Sequence, residues 1–187
     1  MNPSITMPPQ VAWANGALSG APLIQKTTHL GDLNNVFADD DAWRRCDPML
    51  AVYRVEMLDT PSGEGELYTG VTHLKPGRVG NEFFMTRGHF HARREQGEIY
   101  FGLRGEGLLL LQDAQGQTRL EQVRPGSVHH IAGFTAHRLI NTGSDILSAL
   151  AVWPSVAGHD YAALSGGFAL RVTAGTLKLM AKEVQNG

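Results

Sequence analysis

Leu108-Leu109-Leu110-Leu111-Gln112-Asp113-Ala114-Gln115-Gly116-Gln117-Thr118-Arg119-Leu120-Glu121-Gln122-Val123-Arg124-Pro125-Gly126-Ser127-Val128-His129-His130-Ile131 decides the fold. It holds three short runs of strand-forming residues, 108–112, 118–123 and 127–131, and two breaks. Asp113-Ala114-Gln115-Gly116 has the composition of a hairpin loop, and Arg124-Pro125-Gly126 that of a second reversal. Neither break leaves room for a helix. Outward from it, the same texture continues in runs at 51–59, 66–74, 83–87 and 98–103, then at 137–141, 147–153 and 168–173. About ten strands in roughly 120 residues, with no amphipathic helix between them, imply an all-β antiparallel sandwich or barrel rather than an α/β sheet.

Upstream the character changes. Residues 1 to about 30 are rich in Pro, Gly, Ala and Thr without either periodicity, and read as an arm that takes its order from elsewhere, a partner subunit included. A short helix follows: Asp39 or Asp40 as N-cap, acids at its start, arginines near its end, and Asp47-Pro48 as its stop. The expected division is therefore 1–48 for arm and helix and 49–187 for a β-barrel domain with C-terminal strands.

At 187 residues, with 42% hydrophobic residues, the chain is long enough for one well-buried core. A formal charge of −2 and the lack of a Lys/Arg block argue against nucleic acid as a partner. No apolar run approaches the span of a bilayer, and the N-terminus lacks a basic start with an apolar core, so the expectation is a cytoplasmic protein without membrane contact. The lone Cys46 cannot form an internal disulfide and reads as a small buried hydrophobe.

Chemistry concentrates in Gly88-His89-Phe90-His91, followed after six residues by Glu98-Ile99-Tyr100. Histidines one residue apart on a strand share a face, so His89 and His91 can grip one ion. Imidazoles with a carboxylate suit a first-row divalent metal, and His137 is the candidate to complete the set with Glu98. Parity is an obstacle: Glu98 lies an odd number of residues from His91, so a continuous strand would send it to the other face. Ala92-Arg93-Arg94-Glu95-Gln96-Gly97 has the composition of a turn that resets the parity. Tyr100 then shares the face of Glu98. His29, His73, His129 and His130 read as packed or exposed histidines rather than ligands.

These residues carry a resemblance. His-x-His, Glu98, Gly105, Pro125-Gly126, then His137 and Asn141 resemble the two motifs of the cupin superfamily. Phe83 stands where that family commonly has Gly, the gap before Glu98 is long, and Ala132 and Phe134 stand where Pro and Gly are common. These departures fit one branch. Residues 76–91, from Pro76-Gly77-Arg78-Val79-Gly80 to Gly88-His89-Phe90-His91, resemble cupin-type glucose-6-phosphate isomerases. So do Leu109-Leu110-Leu111-Gln112, Ala136-His137-Arg138, Asn141-Thr142-Gly143 and Ala157-Gly158-His159-Asp160-Tyr161.

The resemblance implies a double-stranded β-helix or jelly-roll barrel, a homodimer, and a metal-dependent isomerase of glycolysis or gluconeogenesis interconverting glucose 6-phosphate and fructose 6-phosphate. It implies one divalent metal per subunit, Fe2+ first, with Mn2+, Ni2+ or Zn2+ as alternatives, held by His89, His91, Glu98 and His137. Glu98 is implied as the proton-transfer residue. Thr72, Thr86, Gly88, Tyr100, His159 and Tyr161 are implied as substrate contacts, joined by Tyr53. Trp153 departs from the Tyr expected there. From the residues alone, a cupin dioxygenase, a sugar epimerase and a non-enzymatic sugar- or metal-binding module stay open beside the isomerase.

Overall fold

A computed structural model describes residues 4–177. Two antiparallel sheets enclose a shared interior. The larger has six strands in the order β11-β8-β13-β5-β4-β3: Val128–Ile131, Glu98–Arg104, Leu147–Pro154, Leu67–Leu74, Ala51–Leu58 and Leu23–His29. The smaller has β10 (Thr118–Val123), β9 (Gly107–Gln112) and β12 (Ala136–Ile140). Two ribbons, β1 with β2 (Gln10–Val11, Leu18–Ser19) and β6 with β7 (Arg78–Val79, Glu82–Phe83), complete the strands. The all-β jelly-roll expectation holds.

Hairpin chemistry fixes the register of the smaller sheet. Asp113 Oδ1 accepts from the backbone of Gln115 and Gln117 at 2.9 and 2.8 Å, closing the turn so that Thr118 pairs with Gln112. β12 is buried at every position and β9 at nearly every one. That is why Leu108-Leu109-Leu110-Leu111 shows no alternation: both faces of the sheet are covered. Leu109, Leu139 and Ile140 are almost wholly buried, each stabilising the fold by about 2 kcal/mol through apolar burial.

Three expectations need correction. The arm contains regular structure: β3 pairs along β4 from Leu23↔Leu58 to His29↔Ala51 and forms the edge of the larger sheet. Its alternation is masked because Ile24, Lys26 and Thr28 face the cavity rather than an apolar core. The run at 83–87 is a strand only at its start, with a single bridge from Met85 to Ile140, because the chain turns at Gly88 before a ladder can extend. The run at 168–173 is not a strand: only Thr173 makes a bridge, to Glu82, while Phe168 and Val172 are buried in the core. The helix forms as α1 (Asp40–Arg44), with Asp39 Oδ1 accepting from Ala42 N at 2.8 Å. The ends of the two expected units, 1–3 and 178–187, lie outside the described residues.

Candidate metal centre and substrate cavity

His89 and His137 are set side by side by the backbone. His89 N donates to His137 O at 3.2 Å, and His137 N donates to His89 O at 3.1 Å. This isolated antiparallel bridge puts both imidazoles on the interior side, with ring centres 4.5 Å apart. Gly88 makes the approach feasible. Its φ of +73° is left-handed, and an added Cβ would come within 2.7 Å of Phe168 and 2.9 Å of the Arg138 guanidinium. The glycine therefore answers to backbone conformation and packing as well as to its place in the cavity wall.

The turn after His91 resets the parity. Gln96 N donates to Arg93 O at 3.1 Å, and His91 Nδ1 meets the Gln96 carbonyl at 2.9 Å, which orients the ring from behind. β8 then starts with Glu98 pointing inward. Its Oε2 lies 3.3 Å from His91 Nε2 and 3.0 Å from His137 Nε2. One ligand atom from each of His89, His91, Glu98 and His137 lies within 4.8 Å of the others.

The electrostatics suit a cation. His89 Nε2 and His137 Nε2 are buried without a hydrogen-bond partner among the described residues; the carboxylate near His137 lies at an unfavourable angle. Burying unpartnered polar nitrogens is costly, and an ion between them removes the cost. Burial, reinforced by His137, His159 and His91, pushes the His89 pKa far down, so its ring is neutral and its lone pair is available. Burial alone would raise the Glu98 pKa, but the facing His137 and His91 outweigh it and keep the carboxylate ionised. Three neutral-capable imidazoles and one carboxylate fit a first-row divalent metal.

The group opens onto a cavity of about 320 Å³. The structure brings Thr72, Thr86, Gly88, Tyr100, His159 and Tyr161 to its wall, with Tyr53 and Trp153. His91 is the exception: it stands behind the wall, touching Glu98 rather than the open space. Thr86 Oγ1 accepts from Leu139 N at 3.1 Å, so that hydroxyl also ties the wall together. The Tyr100 hydroxyl is held protonated by burial and by the charge of Glu98. His159 and Tyr161 sit at the exposed rim, rings parallel within 5°, and the His159 ring centre is 4.2 Å from that of His89.

Sequence reasoning missed Lys26, Thr28 and Arg87 in this wall. The first two belong to β3, whose alternation does not separate apolar from polar. Arg87 offered a signal, being a cation next to Gly88. Its guanidinium donates to the Asp32 carbonyl and lies 5.7 Å from the centre of the Tyr161 ring. Of the other histidines, His129 behaves as expected of a packed one: its Nδ1 meets Glu121 at 2.7 Å and its Nε2 meets Ser127 at 2.9 Å.

Comparison with known proteins gives this site a context. The sequence model of the glucose-6-phosphate isomerase family matches residues 27–185. The glucose-6-phosphate isomerase of Pyrococcus horikoshii is 39% identical over 160 residues, covering 83% of this chain and 82% of that protein. That of Thermococcus litoralis is 39% identical over 159 residues, 82% of this chain and 83% of that protein. Among solved structures, oxalate decarboxylase from Bacillus subtilis overlaps 67% of this chain and 28% of its own length, at 14% identity and a TM-score of 0.45. With the family match spanning most of the chain and the relatives aligned over most of theirs, the chain belongs to the glucose-6-phosphate isomerase family.

Proposed function

We propose that this protein interconverts glucose 6-phosphate and fructose 6-phosphate at the cavity described above, using one divalent metal held by His89, His91, Glu98 and His137. The observation that carries this reading is the pair of buried, unpartnered imidazole nitrogens beside an ionised carboxylate, opening onto a sugar-sized cavity in a chain of this family. A divalent metal bound there supplies Lewis acidity toward the carbonyl and neighbouring hydroxyl of the open sugar. Iron is the proposed ion, with manganese, nickel or zinc as substitutes.

The chain's own residues do the rest. Glu98 lines the cavity at the centre of the group, and its carboxylate is the base proposed to move the proton between C1 and C2. Oε2 is the oxygen facing the two imidazoles, so Oε1 is the oxygen proposed to face substrate. His159 at the rim is proposed to assist ring opening; the part of its ring packed into the cavity wall lowers its pKa, against the pull of Glu98, and favours the neutral form able to accept a proton. Tyr100 donates to a sugar oxygen. Phosphate is assigned to the wall of Thr72, Thr86 and Gly88 with Tyr161, in the positive field of Lys26 and Arg87. A homodimer located in the cytoplasm, acting in glycolysis or gluconeogenesis, completes the proposal, with residues 1–48 serving as an arm on the barrel or its partner.

The decisive experiment is a coupled assay on metal-stripped and reconstituted protein. Activity should vanish with chelation and return with divalent ion; full activity after verified removal of metal would overturn the reading. Running the reaction in deuterium oxide distinguishes the two routes for hydrogen. Label at C2 supports proton transfer through Glu98, and its absence under all conditions assigns a direct hydride shift with Glu98 as a positioning group.

A further inference from the structure

The wall formed by β4 and β5 has a second cavity on its other side. It measures about 410 Å³ and is lined by Asn15 and Ala17 of the arm, Arg54 of β4, His73 of β5, Lys75 just beyond it and Arg104 at the end of β8, with Thr27, Ala51, Tyr53 and Ile146 completing the lining. The polar side chains in this lining are cationic, neutral or imidazole, and no carboxylate is among the described residues that line it. The two nearest acids are already engaged. Glu56 takes Arg54 at 2.6 Å and the Leu18 backbone N–H at 3.2 Å, while Asp145 takes Arg104 at 2.8 Å.

Donors are left over. Lys75 has no ion pair among the described residues. His73 Nε2 is buried and makes no hydrogen bond among the described residues, its carboxylate neighbour Glu56 lying 3.6 Å away, while Nδ1 is fixed by Ser148 at 2.9 Å. Arg54 and Arg104 each bind their acids through part of a five-donor fork. A concave site with three cations and an unpartnered imidazole nitrogen, open to solvent through an exposed lysine, has the composition of an anion receptor.

We propose that this outer cavity binds a small phosphate-class anion, gripped by Lys75, Arg54, Arg104 and His73, and that its occupant clamps the N-terminal arm to the sheet. Arm closure follows from geometry. Asn15 and Ala17 form one wall, Gly16 packs so closely that an added Cβ would lie 3.1 Å from Ser148 and 3.5 Å from the His73 ring, and Leu18 seats in a small apolar cluster with Val71 and Leu103. Tyr53 lines both cavities, so β4 is the shared partition between this site and the substrate cavity. Nothing in the assignment depends on which reaction the inner cavity performs.

The test is isothermal titration of inorganic pyrophosphate into the full-length protein, with the inner cavity saturated by an equilibrated mixture of glucose 6-phosphate and fructose 6-phosphate. The wild type should bind one pyrophosphate per chain. Lys75→Gln should weaken it about tenfold and Lys75→Gln with Arg104→Gln by about a hundredfold, as charge-assisted contacts are removed. Lys75 is exposed, so the single variant should keep the wild-type melting temperature and, without pyrophosphate, the wild-type turnover. Hydrogen exchange of residues 10–19 should slow when pyrophosphate is added. Absence of binding under substrate saturation, or binding indifferent to both substitutions, would overturn the proposal.

Discussion

Histidines at two places in the interior of this barrel differ in what they face. At the metal group, His89 and His137 gather around Glu98, and the Nε2 of each is buried without a hydrogen bond among the described residues. On β11, His129 shares the inward face of Tyr100 and Ile131 and is buried like His137, at 4% exposure against 1%, yet both its ring nitrogens are occupied, by Glu121 and Ser127. Burial therefore does not separate a metal ligand from a packed histidine. What separates them is the completeness of the hydrogen bonding: a structural imidazole is satisfied by the protein, and a ligand imidazole is left for an ion.

The comparison breaks first if the inner group is dispensable. Glu98→Gln, which keeps the shape and removes the charge, and His137→Ala should each lower turnover by about 10²- to 10⁴-fold, with circular dichroism unchanged. Wild-type turnover in both variants would mean that the unpartnered nitrogens serve nothing. The next effect is on stability. Gly88→Ala forces a left-handed residue to carry a Cβ into Phe168 and Arg138, which should cost roughly 2–4 kcal/mol in urea denaturation. An unchanged midpoint would show that the chain relaxes there without consequence.

His129 supplies the reverse experiment. His129→Ala removes the partner of Glu121 and Ser127 and should lower stability by about 1–3 kcal/mol while leaving turnover and metal content at wild-type values. Loss of activity without loss of stability would erase the distinction between the satisfied histidine and the metal group.

Much of this could be read in the sequence, and the rest could not, for physical reasons. Turn chemistry at Asp113 to Gly116 and strand-forming runs from 51 onward specify antiparallel pairing locally, and the all-β fold follows. His89, His91 and Glu98 are close in the chain, so strand periodicity and one turn are enough to draw them together as candidates. β3 was hidden because the strand lines a polar cavity: Lys26 and Thr28 point inward where a core strand would be apolar. Lys26 thereby escaped notice as well. The run from Phe168 resembles a strand because its apolar residues are buried, but it packs on the core without a ladder. Hydrophobicity records burial, while pairing requires a neighbour that a local pattern does not reveal.

The finest contrast is His73, which stands between the two classes: Nδ1 is bonded to Ser148 and Nε2 has no hydrogen-bond partner among the described residues. Burial lowers its pKa, opposed by Glu56 and assisted by Arg54 and Arg104. A folded-state pKa below the ordinary value means that the unfolded chain binds the proton more readily. The stability from this residue is therefore complete above about pH 6.5 and is lost as the pH falls from there toward the folded pKa. His159 contributes with the same sign, so the wild-type slope alone does not isolate His73. His73→Asn does, because the amide can keep the bond to Ser148 but does not titrate. In phosphate-free buffer, urea midpoints measured from pH 7.5 to 5 should fall less steeply for the variant than for the wild type. Equal slopes would place His73 with the fully satisfied histidines, its second nitrogen indifferent to charge.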